Sequence, residues 1–249
     1  MNADSRRLEE LSLNSSAPPG QLLYDGWLLR LLPGKAKRAR SVNPVYPSHL
    51  ALEEKVAYCD RIYAQAGLPL LFRMTPFAQP VSLDEHLGKM GFVRFDPTAV
   101  ETATIDLAKF DGAGAREIPL EQWVQAVGAL RGSSPIQVQS HFARLRDMPL
   151  PRRTFCVEEG GEVVATGLAV VEDGHAGLFD IVTHAGHRRR GHARRIVASL
   201  LEVASEDLGA RKAYLQVEVG NTSARALYAQ FGFAERYQYW YRGRPGVSP

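Results

Sequence analysis

Residues 186 to 195 read GHRRRGHARR, five arginines and two histidines in ten positions. So dense a run of cations suits an anion, a metal, nucleic acid or plain solvent. Its setting narrows the choice. Before it lies HAGLFDIVTH, a strand candidate, and after it ARRIVASLLEVASEDLG, with Ile196, Leu200, Val203 and Leu208 at roughly helical spacing before Gly209. A strand end feeding a helix start exposes backbone N–H groups that lack intrahelical partners, at the positive end of the helix dipole. Gly191 lets the backbone approach a ligand with no Cβ in the way, and Ala193 keeps the next turn slim. Arginine charge and main-chain donors together suit a pyrophosphate, the plainer alternative being a solvated loop that caps a helix. His184, His187 and His192 hint at a metal, yet no Cys or carboxylate completes a set and the neighbouring cations repel one, so no metal is expected. Nucleic acid asks for a wider basic face with stacking aromatics, whereas the following helix carries Glu202, Glu206 and Asp207.

The elements around the loop supply further candidates. KAYLQVEV alternates as a strand, with Gln216 and Glu218 on one face and Leu215, Val217 and Val219 on the other. Strand, loop, helix and strand over residues 176 to 219 form a βαβ unit, whose two strands are parallel. Asp180 lies near the end of the first. TSARALYAQFG reads as a helix and FAERYQYWYR as a last strand. Upstream, LEQWVQAVGALRG and SPIQVQSHFARLRDM are two helices, the second opening at Ser134 and Pro135. RTFCVEEGGEVVATGLAVVEDGHAGLFDIVTH is a three-stranded meander turned at Gly-Gly and Asp-Gly. The fold class is therefore α/β (α+β).

HRRRGHA, through Arg188, Gly191 and Ala193, resembles the Arg/Gln-x-x-Gly-x-Gly/Ala loop of the GNAT superfamily, the Gcn5-related N-acetyltransferases. NTSARALYAQFGF resembles that family's second signature at Asn221, Ala224, Leu227, Tyr228, Gly232 and Phe233. The likeness covers about residues 115 to 242 and implies a mixed sheet whose two parallel strands splay to admit acetyl-CoA. Carried over by position, Arg188, Arg189, Arg190, Gly191, His192 and Ala193 would wrap the pyrophosphate, mainly through main-chain amides. Ile181, Val182 and Thr183 would pair with the pantetheine arm, and Asn221 and Tyr228 would lie beside the thioester. An amide near Val182 would polarise the thioester carbonyl. Tyr228 is the general-acid candidate toward the CoA sulfur, and Glu218 or Asp180 the base toward a primary amine of a small molecule or peptide. Ala185 stands where the family often has proline. A non-catalytic acyl-CoA sensor and a nucleic-acid accessory protein are the alternatives; a sensor would keep the loop without needing acid or base.

The first half of the chain looks like a worn copy of the second. LLFRM and LDEHLGKMGFVRF, within residues 70 to 95, parallel LQVEV and ARALYAQFGFAERY, with Gly91-Phe92 against Gly232-Phe233 and Leu87 against Tyr228. The stretch facing the arginine loop, NPVYPSHLALEEK, has prolines and no glycine. Expected, then, are a mobile tail over residues 1 to 20, a degenerate GNAT-like module over 21 to 110, a flexible AKFDGAGA linker, and a catalytic module over 115 to 249. LLYDGWLLRLLPG reads as one strand that ends at Pro-Gly, and SLDEHLGKMGF as a helix capped by Ser82. Net charge of +3 over 249 residues is too small for a dedicated nucleic-acid binder. Cys59 and Cys156 share no metal or redox spacing, which fits reduced thiols. With no long apolar run and no signal-type start, a cytoplasmic protein without a membrane partner is expected.

Overall fold

The computed structural model describes residues 3–109 and 114–246. In chain order the elements are α1 (Ala3–Asn14), β1 (Gln21–Tyr24), β2 (Trp27–Arg30), β3 (Val42–Pro44), α2 (Leu52–Gln65), β4 (Leu71–Met74), α3 (Leu83–Lys89) and β5 (Val93–Thr104). There follow β6 (Arg116–Glu117), α4 (Leu120–Leu130), α5 (Pro135–Arg146), β7 (Arg152–Glu159), β8 (Glu162–Glu172), β9 (His175–Thr183), α6 (His192–Glu206), β10 (Lys212–Glu218), α7 (Thr222–Ala229) and β11 (Ala234–Gly243). Two compact units result. One holds residues 1–15, 100–217 and 221–236, and the other residues 16–99, 218–220 and 237–249.

These bounds differ from the expected modules of 21 to 110 and 115 to 249. β5 is one continuous strand and the division falls inside it, just after its burial begins at Thr98; β11 is divided in the same way. Part of the AKFDGAGA segment, residues 110–113, lies outside the described residues. The expected mobile tail is instead largely helix. Leu8 and Leu11, three apart, bury themselves at 6% and 0% exposure, and Arg7 pairs with Glu172 and Asp173. Burying one apolar stripe outweighs a composition rich in Ser and charge.

In the first unit the strands run β10-β9-β8-β7-β6. β7, β8 and β9 form the expected antiparallel meander, and β10 lies parallel to β9. α6 lays Ile196, Val197, Leu200 and Leu201, all buried, against the sheet. It comes so close to β8 that a Cβ on Gly167 would stand 2.3 Å from Ile196 Cγ2. α5 opens at Ser134 and Pro135 as expected, and Ser134 caps it: its Oγ accepts from Gln137 N at 3.4 Å, and Gln137 Oε1 accepts from Ser134 N at 3.0 Å.

The second unit orders its strands β1-β2-β3-β4-β11 around a core that includes Trp27, Val56, Tyr63, Phe72 and Phe92. The single strand expected at LLYDGWLLR is a hairpin, because Asp25 (φ 40°) and Gly26 (φ 81°) take the left-handed conformations of a two-residue turn. Ser82 does not cap α3. Its own backbone is helical, and its side chain makes no capping bond. Cys59 and Cys156 are free and buried, and burial pushes the Cys59 thiol up to about 12. Among the described residues no helix is long and apolar enough to cross a membrane.

Candidate active site

The pairing of β9 with β10 runs from His175↔Lys212 to Leu178↔Leu215, while β9 continues to Thr183 and β10 to Glu218. On its other edge β9 slips register against β8 between Thr166 and Leu168, where Gly167 faces more than one residue of β9. Asp180 sits at this bulge with φ 51°, and its carbonyl accepts from Thr166 Oγ1 at 3.3 Å. A bulge adds twist and re-aims the side chain. Here it turns the Asp180 carboxylate toward the two helices: Oδ1 lies 2.6 Å from Arg131 at the end of α4, and Oδ2 lies 3.3 Å from His141 Nε2 on α5. Burial alone would raise this carboxyl, but Arg131, His141 and Arg144 hold it far below the ordinary carboxylate range. Beyond the bulge, Ile181, Val182 and Thr183 are half-buried, which leaves an accessible strand edge.

The arginine loop starts as a short 3-10 turn, Ala185–His187, in which Gly186 N donates to His184 Nδ1 at 3.2 Å. Arg189 (φ 60°) and Gly191 (φ 83°) both take the left-handed conformation. Gly191 is the N-cap of α6 and supplies no side-chain acceptor, and a Cβ there would meet no atom within 4 Å. The first amides of α6 therefore have no capping side chain from this residue, and the space above it is open. Arg188, Arg189 and Arg190 are exposed, Ala193 is half-buried, and His192 is buried. Glu159, at the end of β7, faces this loop: its Oε2 meets His187 Nδ1 at 2.9 Å and Arg190 at 3.2 Å, and its Oε1 meets His192 Nε2 at 3.3 Å. The hydrogen bond with His187, with a smaller contribution from Arg190, lowers the Glu159 carboxyl. Glu159, His187 and His192 offer ligand atoms within 4.8 Å of one another. This corrects the expectation that no carboxylate completes the histidine set: Glu159 does, from about thirty residues and a β-hairpin away, where the sequence offers no sign of it. Arg190 on the same carboxylate and the positive end of α6 both oppose a dication there.

Asn221 caps α7, its Oδ1 accepting from Ala224 N at 3.2 Å, and its side chain is exposed. Tyr228, on the same helix, is 7% exposed and meets Phe233 edge-on at 6.0 Å. Burial, with a smaller contribution from the negative charge of Glu101, pushes its hydroxyl up to about 12. Glu101 is itself buried and bound by Arg225 at 2.8 Å. Tyr228 thus carries its proton throughout the neutral range and can donate it. Glu218 is exposed at the last position of β10. Sequence reasoning missed Arg131, His141, Glu101 and Glu159, whose roles depend on partners far away in the chain.

A bulged strand that parts from its parallel neighbour thus leads through an arginine loop into a glycine-capped helix start, which leaves an open place for an anion. Residues 119–233 match the Acetyltransferase (GNAT) family, and the chain carries a GNAT acetyltransferase domain there. Along nearly its whole length it is 29% identical, over 250 residues, to the uncharacterised N-acetyltransferase YobR of Bacillus subtilis (strain 168), covering 96% of this chain and 98% of that one. Its fold is similar to a GCN5-related N-acetyltransferase from Kribbella flavida, with a TM-score of 0.73 at 18% identity, covering 99% of this chain and 97% of that one. It is also similar to a tandem GNAT protein from the clavulanic acid biosynthesis pathway, with a TM-score of 0.58 at 17% identity, covering 100% and 97%. The protein is an acetyltransferase with a mixed α/β fold.

Proposed function

We propose that the protein transfers the acetyl group of acetyl-CoA to a primary amine of a small molecule or peptide, at one cofactor site in the first unit. The observation that carries this is the open, glycine-capped start of α6, with three exposed arginines before it. The amides of residues 188 to 193 cradle the pyrophosphate, and the exposed edge at Ile181 to Thr183 bonds the pantetheine amides. An amide near Val182 polarises the thioester carbonyl. Asn221 and Tyr228 flank the thioester, and Tyr228 protonates the departing thiolate. Asp180 is a counter-ion to Arg131 with little proton affinity left, so it acts on proton transfer through what it orients.

A tandem origin for the two units is supported by their matching helix ends. Gly91 and Gly232 both have φ 83°. Phe92 N donates to Leu87 O at 3.0 Å, as Phe233 N donates to Tyr228 O at 3.2 Å. In the second unit, however, the amides just before α2 already have an anion. Asp25 accepts from His49 N and Leu50 N at 3.0–3.1 Å and pairs with Lys55. An internal carboxylate takes the place a phosphate would need, so that unit binds no cofactor. Calorimetric titration with acetyl-CoA tests the reading: one site per chain is expected, and two sites or none overturns it.

A further inference from the structure

We propose that His141 is the base that takes a proton from the acceptor's ammonium, with Asp180 as the positioning residue that holds its ring. This rests on the acetyl-transfer reading and supplies its proton acceptor. His141 Nε2 lies 3.3 Å from Asp180 Oδ2, and Arg131, 2.6 Å from Oδ1, keeps that carboxylate from swinging away. Trp123 braces the ring edge-on, with centroids 5.7 Å apart. Among the described residues Nδ1 has no hydrogen-bond partner in the protein. An Nε2–H that donates to a carboxylate leaves the neutral ring with its lone pair on Nδ1, the form a base requires. The side chain is 21% exposed, so a ligand can reach it. The pair also stands in the right place. Asp180 is two residues past Leu178, where the pairing of β9 with β10 ends. Among the described residues, His141 pairs with Asp180, and Arg131 and Arg144 act on that same carboxylate.

The proton count closes. An ammonium that ends as an amide N–H loses two protons. His141 Nδ1 takes the first before the free amine attacks the thioester carbon, and returns it to solvent after product leaves. When the carbon–sulfur bond breaks, Tyr228 gives its proton to the thiolate, and the second amine proton restores the phenol.

The test measures free-thiol release from acetyl-CoA with glycinamide, putrescine and kanamycin as amines, together with NMR of the imidazole nitrogens without any acceptor. His141→Gln should lower kcat/KM near neutral pH by about 10²-fold or more and leave acetyl-CoA affinity unchanged. Its deficit should shrink as pH rises and the amine sheds its own proton, which a merely structural defect would not do. In the parent His141 should be the Nε2–H tautomer, and Asp180→Asn should lose that tautomer and lower kcat. Parent-like kcat/KM and pH profile in His141→Gln would overturn the proposal. So would Glu218→Gln abolishing an acid limb that His141→Gln keeps, or an Nδ1–H tautomer in the parent. No thiol release by the parent with any of the three amines would count against the transfer reading instead, and the tautomer would still decide the pair.

Discussion

Gly191→Asp separates the fold of the arginine loop from its ligand. At φ 83° and ψ 0° an L-residue pays a left-handed strain of about 1–2 kcal/mol. No clash adds to it, since a Cβ at this position meets nothing within 4 Å. Asp is among the residues that tolerate this conformation. At an N-cap it also gains a partner in the free amides of the next turn and about 0.3–1 kcal/mol from the dipole. The stability of Gly191→Asp should thus stay within about 1 kcal/mol of the parent, and Gly191→Ala, strained without a cap, should be the less stable variant. Binding should order the other way. The Asp carboxylate would occupy the amide cradle and repel the pyrophosphate, removing at least two charge-assisted hydrogen bonds at about 1.5–3 kcal/mol each. A total of about 3–6 kcal/mol is roughly a 10²- to 10⁴-fold loss of affinity. Calorimetry with acetyl-CoA, beside urea unfolding of both variants, measures the two quantities independently. A folded Gly191→Asp protein that binds acetyl-CoA like the parent would refute the assignment of this loop.

Three other substitutions probe neighbouring claims. Tyr228→Phe removes a proton donor and almost no volume, so thiol release should fall about 10²- to 10⁴-fold in kcat while acetyl-CoA affinity holds; a Phe variant as active as the parent would remove Tyr228 from the mechanism. Asp25→Asn should lower the melting temperature at pH 6. Because the amides of Leu50 and His49 and the Lys55 ammonium lower the folded carboxyl from 3.8 to about 2, that stabilisation exists above the unfolded value and fades as pH falls toward 2, so a parent–variant gap that ignores pH between 6 and 2 would be the contrary result. Gly167→Ala forces a methyl to within 2.3 Å of Ile196 and 2.9 Å of Leu200, and should cost about 1–3 kcal/mol in urea unfolding; parent-like stability would mean that α6 is not held so close to β8.

What the sequence disclosed and what it withheld divide along one physical line. Local rules gave local structure. The meander, the helix start at Ser134 and Pro135, the βαβ unit and the glycine at the head of α6 each follow from residues within a few positions of one another. The failures needed tertiary information, or weighed one local signal over another. α1 looked like a tail because its composition is polar, and only burial of Leu8 and Leu11 makes it a helix. Asp25-Gly26 was a legible hairpin turn, passed over for the Pro-Gly that follows it.

The site divides in the same way. Gly191 could be named from its place at a helix start and Tyr228 from the resemblance its motif carries, whereas His141 and Arg131 become visible only once the bulge at Asp180 turns its carboxylate onto them. Asp180 also shows why residue type alone misassigns roles: an acid in the right place becomes a poor base when a guanidinium sits 2.6 Å away. The two units repeat the lesson at helix scale. The amides just before α2 and those at the start of α6 both face a place for an anion. In one the chain supplies Asp25, and in the other it supplies a glycine and leaves the place open. A helix start is a binding site only where its own chain has not already filled it, and that is decided by a residue some twenty-five positions away in the sequence.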